Sequence, residues 1–250
     1  MSSTEIIFLG TGNAFHSDGR LSQSILIRNR DVAWCVDAGP TFLYQLEKFR
    51  IDPASIEQFF FTHFHGDHTA GISFFLLHLY EFAQDHRDVV INGPSGITEC
   101  CRKHYLATYP EIILDEHVRY REFPVEEKAG ISLEHDNSLQ LIPMVHKPES
   151  LGFRFTFAGK KIAVTGDTKW NPAVTRLAEG ADLAVIECTT MQREHFNHIS
   201  FDEFSENLDS INSGLIVPVH LTDEIASAFK KLQHPRIRIV EDGDKLLLND

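Results

Sequence analysis

The sequence predicts a layered α/β fold, two central sheets with helices on their outer faces. Three observations carry that prediction. Short apolar runs recur along the chain, each of strand length, rich in Val, Ile and Phe, and mostly bounded by Gly, Pro, Asn or Asp. Several are continuously apolar, which marks strands covered on both faces. Strands crowd the first third, whereas strands alternate with helical patterns in the last third.

In order, the strand candidates are EIIFLG, QSILIR, VAWCVD, IEQFFFT, DVVING, LQLIPMVH, GFRFTF, KIAVTGD, DLAVIEC, GLIVPVH and RIRIV. Helical patterns separate several of them. Pro40 to Phe49 opens with proline in its first turn and repeats Leu43, Leu46 and Phe49. Ile72 to Phe82 is apolar almost all round, which predicts either burial or a subunit contact, the latter in a homodimer. Asn171-Pro172 reads as an N-cap and first turn. Ser200 and Glu203 have capping-box spacing, with Phe204, Leu208 and Ile211 on one face. Thr222-Asp223-Glu224 opens a last helix, with Ile225, Phe229 and Leu232 inward and Lys230 and Lys231 late. No linker, repeat or shift in composition divides the chain, so one domain over residues 1–250 is expected.

The 250 residues, 42% hydrophobic, allow one large core or two smaller ones. No apolar run reaches the roughly 18 residues of a membrane span. The opening MSSTEIIFLGTG lacks a basic segment and a small-residue cleavage site, so no secretory leader is expected. Cys35, Cys100, Cys101 and Cys188 have no framework spacing, which fits a reducing cytoplasm. Thirty-six acidic against 23 basic residues give a net charge of −13. That balance argues against electrostatic binding of long nucleic acid, while a bound metal can still reverse the field locally for a small anionic substrate.

The densest chemistry lies in FFFTHFHGDHTAG, Phe59 to Gly71. Alternate strand residues share a face. A tight loop at Gly66 would turn later side chains inward, so His63 and His65 suit one metal and Asp67 and His68 a second. Imidazole and carboxylate are the ligands that zinc and similar first-row ions favour. The plain alternative is a polar surface loop, which chance rarely fills with ligands at this density. Three further apolar strands end in His146, Asp167 and His220. Each alone reads as a turn or cap residue. Together they look like ligands gathered at one sheet edge, where α/β proteins place their sites. The phenylalanine run gives the site a rigid, buried strand end.

FLGTGNAF, CVDAGP, THFHGDHTAG, the lone histidine after IPM, TGDT and VPVH resemble, in order and over nearly the whole chain, the metallo-β-lactamase superfamily of binuclear metallohydrolases. The resemblance implies an α/β four-layer αβ/βα sandwich with the site between its halves. It implies that His63, His65 and His146 hold one metal and Asp67, His68 and His220 the other, with Asp167 bridging. It also places Asp37 as a brace for the metal loop, although spacing alone reads Asp37 equally as a turn residue before Ala-Gly-Pro. Two divalent ions are implied, zinc or else manganese or iron, sharing a hydroxide nucleophile that Asp67 orients.

His198-Ile199-Ser200 resembles the His-x-Ser/Thr segment of the phosphodiesterase branch that includes ribonuclease Z. This implies that His198 contacts phosphate and protonates the leaving oxygen, with Ser200 beside it at the substrate. A capping histidine is the competing reading, and His195 is a rival for the same role. The tRNA-gripping arm of that branch has no room in the short stretch between His146 and Asp167. The expected function is therefore cleavage of a small, cyclic or short-oligonucleotide phosphodiester. The alternatives are hydrolysis of a carboxylic ester, thioester, lactone or sulfate ester, or a non-catalytic metal-binding regulator. His16, Lys147 and Arg154 stand between substrate contact and structural roles. His78 reads as a core or interface histidine, and His86, His104, His117, His135 and His234 lack ligand-like surroundings.

Overall fold

The computed structural model describes residues 3–30, 32–82, 88–110, 117–193 and 197–249. The first half of the chain forms β1 (Thr4–Gly10), β2 (Ser24–Asn29), β3 (Val32–Val36), α1 (Phe42–Lys48), β4 (Gln58–Phe60), α2 (Gly66–Thr69), α3 (Ile72–Phe82), β5 (Val89–Pro94), α4 (Ile97–Thr108) and β6 (Val118–Phe123). The second half forms β7 (Lys128–Ser132), β8 (Ser138–Pro143), β9 (Leu151–Phe157), β10 (Lys160–Val164), α5 (Pro172–Ala178), β11 (Ala181–Glu187), α6 (Phe201–Asn207), β12 (Ser213–Val219), α7 (Asp223–Leu232) and β13 (Lys245–Leu248). One sheet has seven strands in the order β13-β1-β2-β3-β4-β5-β6; the other has six, β12-β11-β10-β9-β8-β7.

Strands β3 to β6 are parallel, as are β10 to β12. Parallel strands need crossover connections, and the helices supply most of them. The same arrangement sets the C-terminal ends of β4, β10, β11 and β12 in positions to carry functional side chains.

The triple phenylalanine shows how the layers form. Strand side chains alternate, so Phe60 enters the core between the sheets, with its ring centroid 5.4 Å from Trp34 and 4.8 Å from Phe155. Phe59 points the other way, 5.6 Å from Phe42 of α1 and 4.7 Å from Phe75 of α3. All three are fully buried, and each contributes roughly 1.5–3 kcal/mol by leaving water. A third apolar cluster lies under α5, α6 and α7. The result is helix, sheet, sheet, helix.

The expected helix starts are made by the expected side chains. Asn171 accepts from the Ala173 N–H, Ser200 and Glu203 close a capping box, and Thr222 accepts from the Ile225 N–H. α1 starts at Phe42 rather than Pro40, with Thr41 in the cap position.

Three expectations change. RIRIV is not a strand; Ile237 makes a single bridge to Ile216 before the chain turns away. The segment around Gly66 is one helical turn, α2, rather than a loop, and His65 precedes it. Arg154 takes a structural role, its guanidinium committed to carbonyls and an amide. Its Nη1 donates to the carbonyls of Glu179 at 2.7 Å and Arg176 at 3.3 Å, and its Nη2 donates to Gln140, so it closes the C-terminal end of α5. Among the described residues no helix is long and apolar enough to cross a membrane.

Candidate metal centre and active site

The backbone of the site is set by glycines. A Cβ on Gly39 would lie 2.0 Å from the Asp67 carbonyl oxygen, and one on Gly71 would lie 2.1 Å from that of Gly39. The DAGP and HTAG segments therefore pack backbone to backbone, tied by Ala38 N–H to His68 C=O at 2.7 Å and Gly71 N–H to Ala38 C=O at 2.9 Å. This close approach is what only glycine permits.

Asp37, fully buried and at a φ of 59°, occupies the centre of that contact. One oxygen accepts from the Thr62 N–H at 2.8 Å; the other lies 2.8 Å from His68 Nδ1 and 2.9 Å from the Thr62 hydroxyl. Asp37 thus fixes His68 with Nε2 directed inward. Thr62 Oγ1 lies 3.1 Å from His63 Nδ1 and orients that ring too. Such outer partners set both the tautomer and the direction of a ligating histidine.

Seven side chains converge in two groups. His63, His65, His146 and Asp167 form one; Asp67, His68, Asp167 and His220 form the other, and within each group the ligand atoms lie within 4.8 Å of one another. Asp167 is shared through different oxygens. Its Oδ2 is 3.7 Å from both His63 Nε2 and His146 Nε2, whereas its Oδ1 is 3.3 Å from His68 Nε2 and 3.7 Å from His220 Nε2. His63 Nε2, His68 Nε2 and Asp167 Oδ1 are buried without a hydrogen-bond partner. Orphaned buried polar atoms cost about 1–3 kcal/mol each. Three of them among imidazoles and carboxylates are a donor set that divalent cations satisfy.

The titration behaviour follows from this crowding. Burial, with neighbouring histidines, pushes His63 well below the ordinary histidine range, and burial also lowers His65 and His146. His68 goes the other way: burial opposes its charge, but Asp167 and Asp37 outweigh it. Burial likewise opposes the charge of Asp67, while hydrogen bonds from His220 and His68 hold its carboxyl well below the usual range.

A third cluster lies beside these. Glu187 ends β11, fully buried, and its Oε1 is 2.9 Å from His198 Nδ1. The Thr168 N–H donates to the same oxygen at 2.8 Å. Thr189 donates to Glu187 Oε2 at 2.9 Å, and its Oγ1 lies 2.7 Å from His220 Nδ1 and 3.4 Å from His198 Nδ1. The Thr189 hydroxyl thus sits among Glu187, His198 and His220, and makes of them a hydrogen-bond network. Burial disfavours a charged His198, but the hydrogen bond and charge of Glu187 prevail and lift it to about 9.

The sequence points to neither Glu187 nor Thr189. Glu187 carries the same signal as Asp167 and His220, a polar residue ending an apolar strand. Ser200 is buried, its hydroxyl is committed to Glu203 in the capping box, and it does not line the cavity over the site. His16 is tied to the Ser22 hydroxyl at 2.7 Å and does not line the site. Lys147 is exposed next to His146. His104 lies 3.2 Å from the Thr69 hydroxyl, away from the two groups. His86 and His195 lie outside the described residues. A cavity of about 460 Å³ opens over the site, with His65, Asp67, Asp167, His198 and His220 lining one side and Asn13, Ala14 and Phe15 another.

Two facing sheets, outer helices and a histidine–aspartate centre at the strand ends define a metallo-β-lactamase-fold protein of the ribonuclease-Z-like kind. The solved structure of the metallo-β-lactamase-fold protein YhfI from Bacillus subtilis superposes with a TM-score of 0.80 at 16% identity, over 99% of this chain and 100% of that one. The short form of human tRNase Z gives 0.79 at 20% identity, over 97% and 98%. Ribonuclease Z of Lactococcus lactis is 29% identical over 234 residues, 74% of this chain and 76% of that protein. Ribonuclease Z of Leuconostoc mesenteroides is 31% identical over 60% of this chain but only 47% of its own length. The chain belongs to the family described as Anti-Pycsar protein Apyc1, which it matches over residues 4–244.

Proposed function

We propose that this protein is a metal-dependent phosphodiesterase for a small phosphodiester, cyclic or short-oligonucleotide, and that His198 donates the proton to the leaving oxygen. The observation that carries the reading is the Glu187–His198 pair, whose histidine lines the same cavity as the two metal-suited groups while the glutamate lies buried behind it. In this reading one ion is held by His63, His65, His146 and Asp167, and the other by Asp67, His68, His220 and Asp167. Zinc fits these donors, as do manganese and iron. When bound, such ions supply Lewis acidity toward the phosphoryl oxygens and lower the pKa of water.

The chain's own residues do the rest. Asp67, kept ionised by its histidine neighbours and open to the cavity, orients water and accepts its proton. His198 gives its Nδ1–H to Glu187 and keeps a second proton on Nε2 for the departing oxygen. Kinship with enzymes named ribonuclease Z supports phosphodiester chemistry. The net charge of −13 and the short segment between His146 and Asp167 support a substrate smaller than tRNA. Four unpaired cysteines suit a cytoplasmic setting. The exposed Tyr44, Phe74 and Tyr80 on α1 and α3 suit burial by a second copy of the chain, which sedimentation would detect.

The test is hydrolysis of bis(p-nitrophenyl) phosphate by protein reloaded with Zn²⁺ or Mn²⁺, against a chelated control. Turnover is expected only with metal, and Asp67→Ala should abolish it. His198→Ala should keep its metals and slow esters with poor leaving groups by about 10²–10⁴-fold. Bound metal without turnover of any phosphodiester would reject the reading in favour of carboxylic, thio- or sulfate esters.

A further inference from the structure

One wall of the cavity carries no metal-suited residue. It consists of Asn13, Ala14 and Phe15, in the loop between β1 and β2. The roots of that loop, Thr11 and Leu21, are held by a residue from the far end of the chain. Asp242 Oδ1 accepts from both the N–H and the hydroxyl of Thr11, each at 2.9 Å, and its Oδ2 accepts from the Leu21 N–H at 2.8 Å. Hydrogen bonds to a carboxylate are stronger than those between neutral groups. The Gly12 N–H also donates to Leu21 C=O at 2.9 Å, so the loop is closed at its base.

Asp242 reaches the loop from a turn that is itself fixed. The Glu241 N–H donates to the Asp244 carboxylate at 2.9 Å. The turn docks on β1 through Gly243 N–H to Phe8 C=O at 2.7 Å and Phe8 N–H to Asp244 C=O at 2.9 Å. Thr11, fully buried, is the node. Its hydroxyl donates to Asp242 and accepts from Arg20 Nη1 at 2.9 Å, and Arg20 pairs with Asp223 at the start of α7. Its carbonyl accepts at 3.0 Å from the N–H of Leu221, the residue after His220. The wall is thereby keyed to the side of the cavity that carries the metal-suited groups, although neither Thr11 nor Asp242 lines the cavity.

We propose that Thr11 and Asp242 are positioning residues that set the station of this wall, and so govern how tightly an ester is held in the cavity without touching it. This rests on the phosphodiesterase reading above. A misplacement of about 1 Å, caused far from the chemistry, can cost about 10²-fold in rate. Here the displaced part is a binding wall, so the loss falls on KM.

Thr11→Val keeps the shape of the buried side chain and removes the hydroxyl, whereas Thr11→Ser keeps the hydroxyl. Asp242→Asn, at a half-buried position, turns an amide donor toward backbone N–H groups. Each metal-loaded protein is assayed for metal content and on bis(p-nitrophenyl) phosphate. Thr11→Val and Asp242→Asn should hold wild-type metal and raise KM about tenfold with kcat within about twofold, and Thr11→Ser should keep the wild-type KM. An unchanged KM in both variants, or loss of metal from them, overturns the proposal. A second readout does not depend on turnover: trypsin cleavage after Arg20, which is 8% exposed, against cleavage after Arg28 in β2. Cutting after Arg20 should accelerate about tenfold in Thr11→Val and Asp242→Asn, with cutting after Arg28 unchanged. Equal acceleration at the two positions marks general loosening and rejects the proposal, as does unchanged cutting after Arg20. If wild type holds metal but cleaves no phosphodiester, the phosphodiesterase reading falls and the trypsin result alone decides whether Thr11 and Asp242 hold the wall.

Discussion

Glu187→Gln isolates the charge behind His198. The substitution keeps two contacts and reverses a third: the glutamine carbonyl can accept from His198 Nδ1 and Thr168 N–H, while its amide must donate to Thr189 Oγ1, which in wild type is the donor to Glu187. What disappears is the negative charge that, against the pull of burial, lifts His198 from 6.5 to about 9. A full return to 6.5 corresponds to about 3 kcal/mol. At pH 8 the protonated fraction would fall from about 90% to about 3%, roughly a 30-fold loss of the acid form. The first assay is NMR titration of the His198 ring in metal-free protein, expected near pH 9 in wild type and back toward 6.5 in the variant. The second is the pH–rate profile of the metal-loaded enzyme, whose alkaline limb should move to lower pH. Stability carries the same signature. A histidine pKa raised by folding stabilises fully below 6.5 and loses that contribution as pH rises through about 9, so the variant should lack this decline. An unchanged His198 titration in Glu187→Gln would refute the reasoning.

Other consequences follow from the same framework. Asp37→Asn must turn an amide donor toward Thr62 or His68, and should weaken metal affinity about 10- to 100-fold in chelator competition, with the helices retained by circular dichroism. Gly39→Ala drives a methyl into the Asp67 carbonyl and should cost about 1–3 kcal/mol, read as a lower denaturation midpoint together with weaker metal binding. Stripping metal should lower the melting temperature reversibly. A free ion at about 1,000 times its Kd contributes about 4 kcal/mol, and an unchanged melting temperature on chelation would count against the proposed centre.

Much of this molecule was legible in the sequence because burial is strongest where the site is. Strands such as β4 and β12 are apolar throughout, and the polar residues after them stand out as His63 and His220. The caps at Asn171, Ser200 and Thr222 were readable because capping is local chemistry. The misses have physical causes. α4 buries only Ile97, Cys101 and Tyr105, a stripe too narrow to show as periodicity. β7, KAGIS, is exposed along nearly its whole length and so carries no pattern. Glu187 was hidden because its partners Thr189 and His198 come from a loop whose path sequence does not give. Arg154 alternates with phenylalanines as a strand residue should, but the carbonyls it serves belong to α5, a contact only the fold creates.

Each metal group takes half its side chains from either sheet's part of the chain. His63 and His65 meet His146 and Asp167; Asp67 and His68 meet Asp167 and His220. In the proposed centre, either half by itself would offer each ion two donor side chains, and docking of the halves would complete each group of four. Linked donors act at an effective concentration that separated ones lack. A centre so built would be a clasp as well as a reaction site. A chain whose sheets have not closed on one another would hold its ions poorly and remain inert, so catalytic competence arrives together with the last step of assembly.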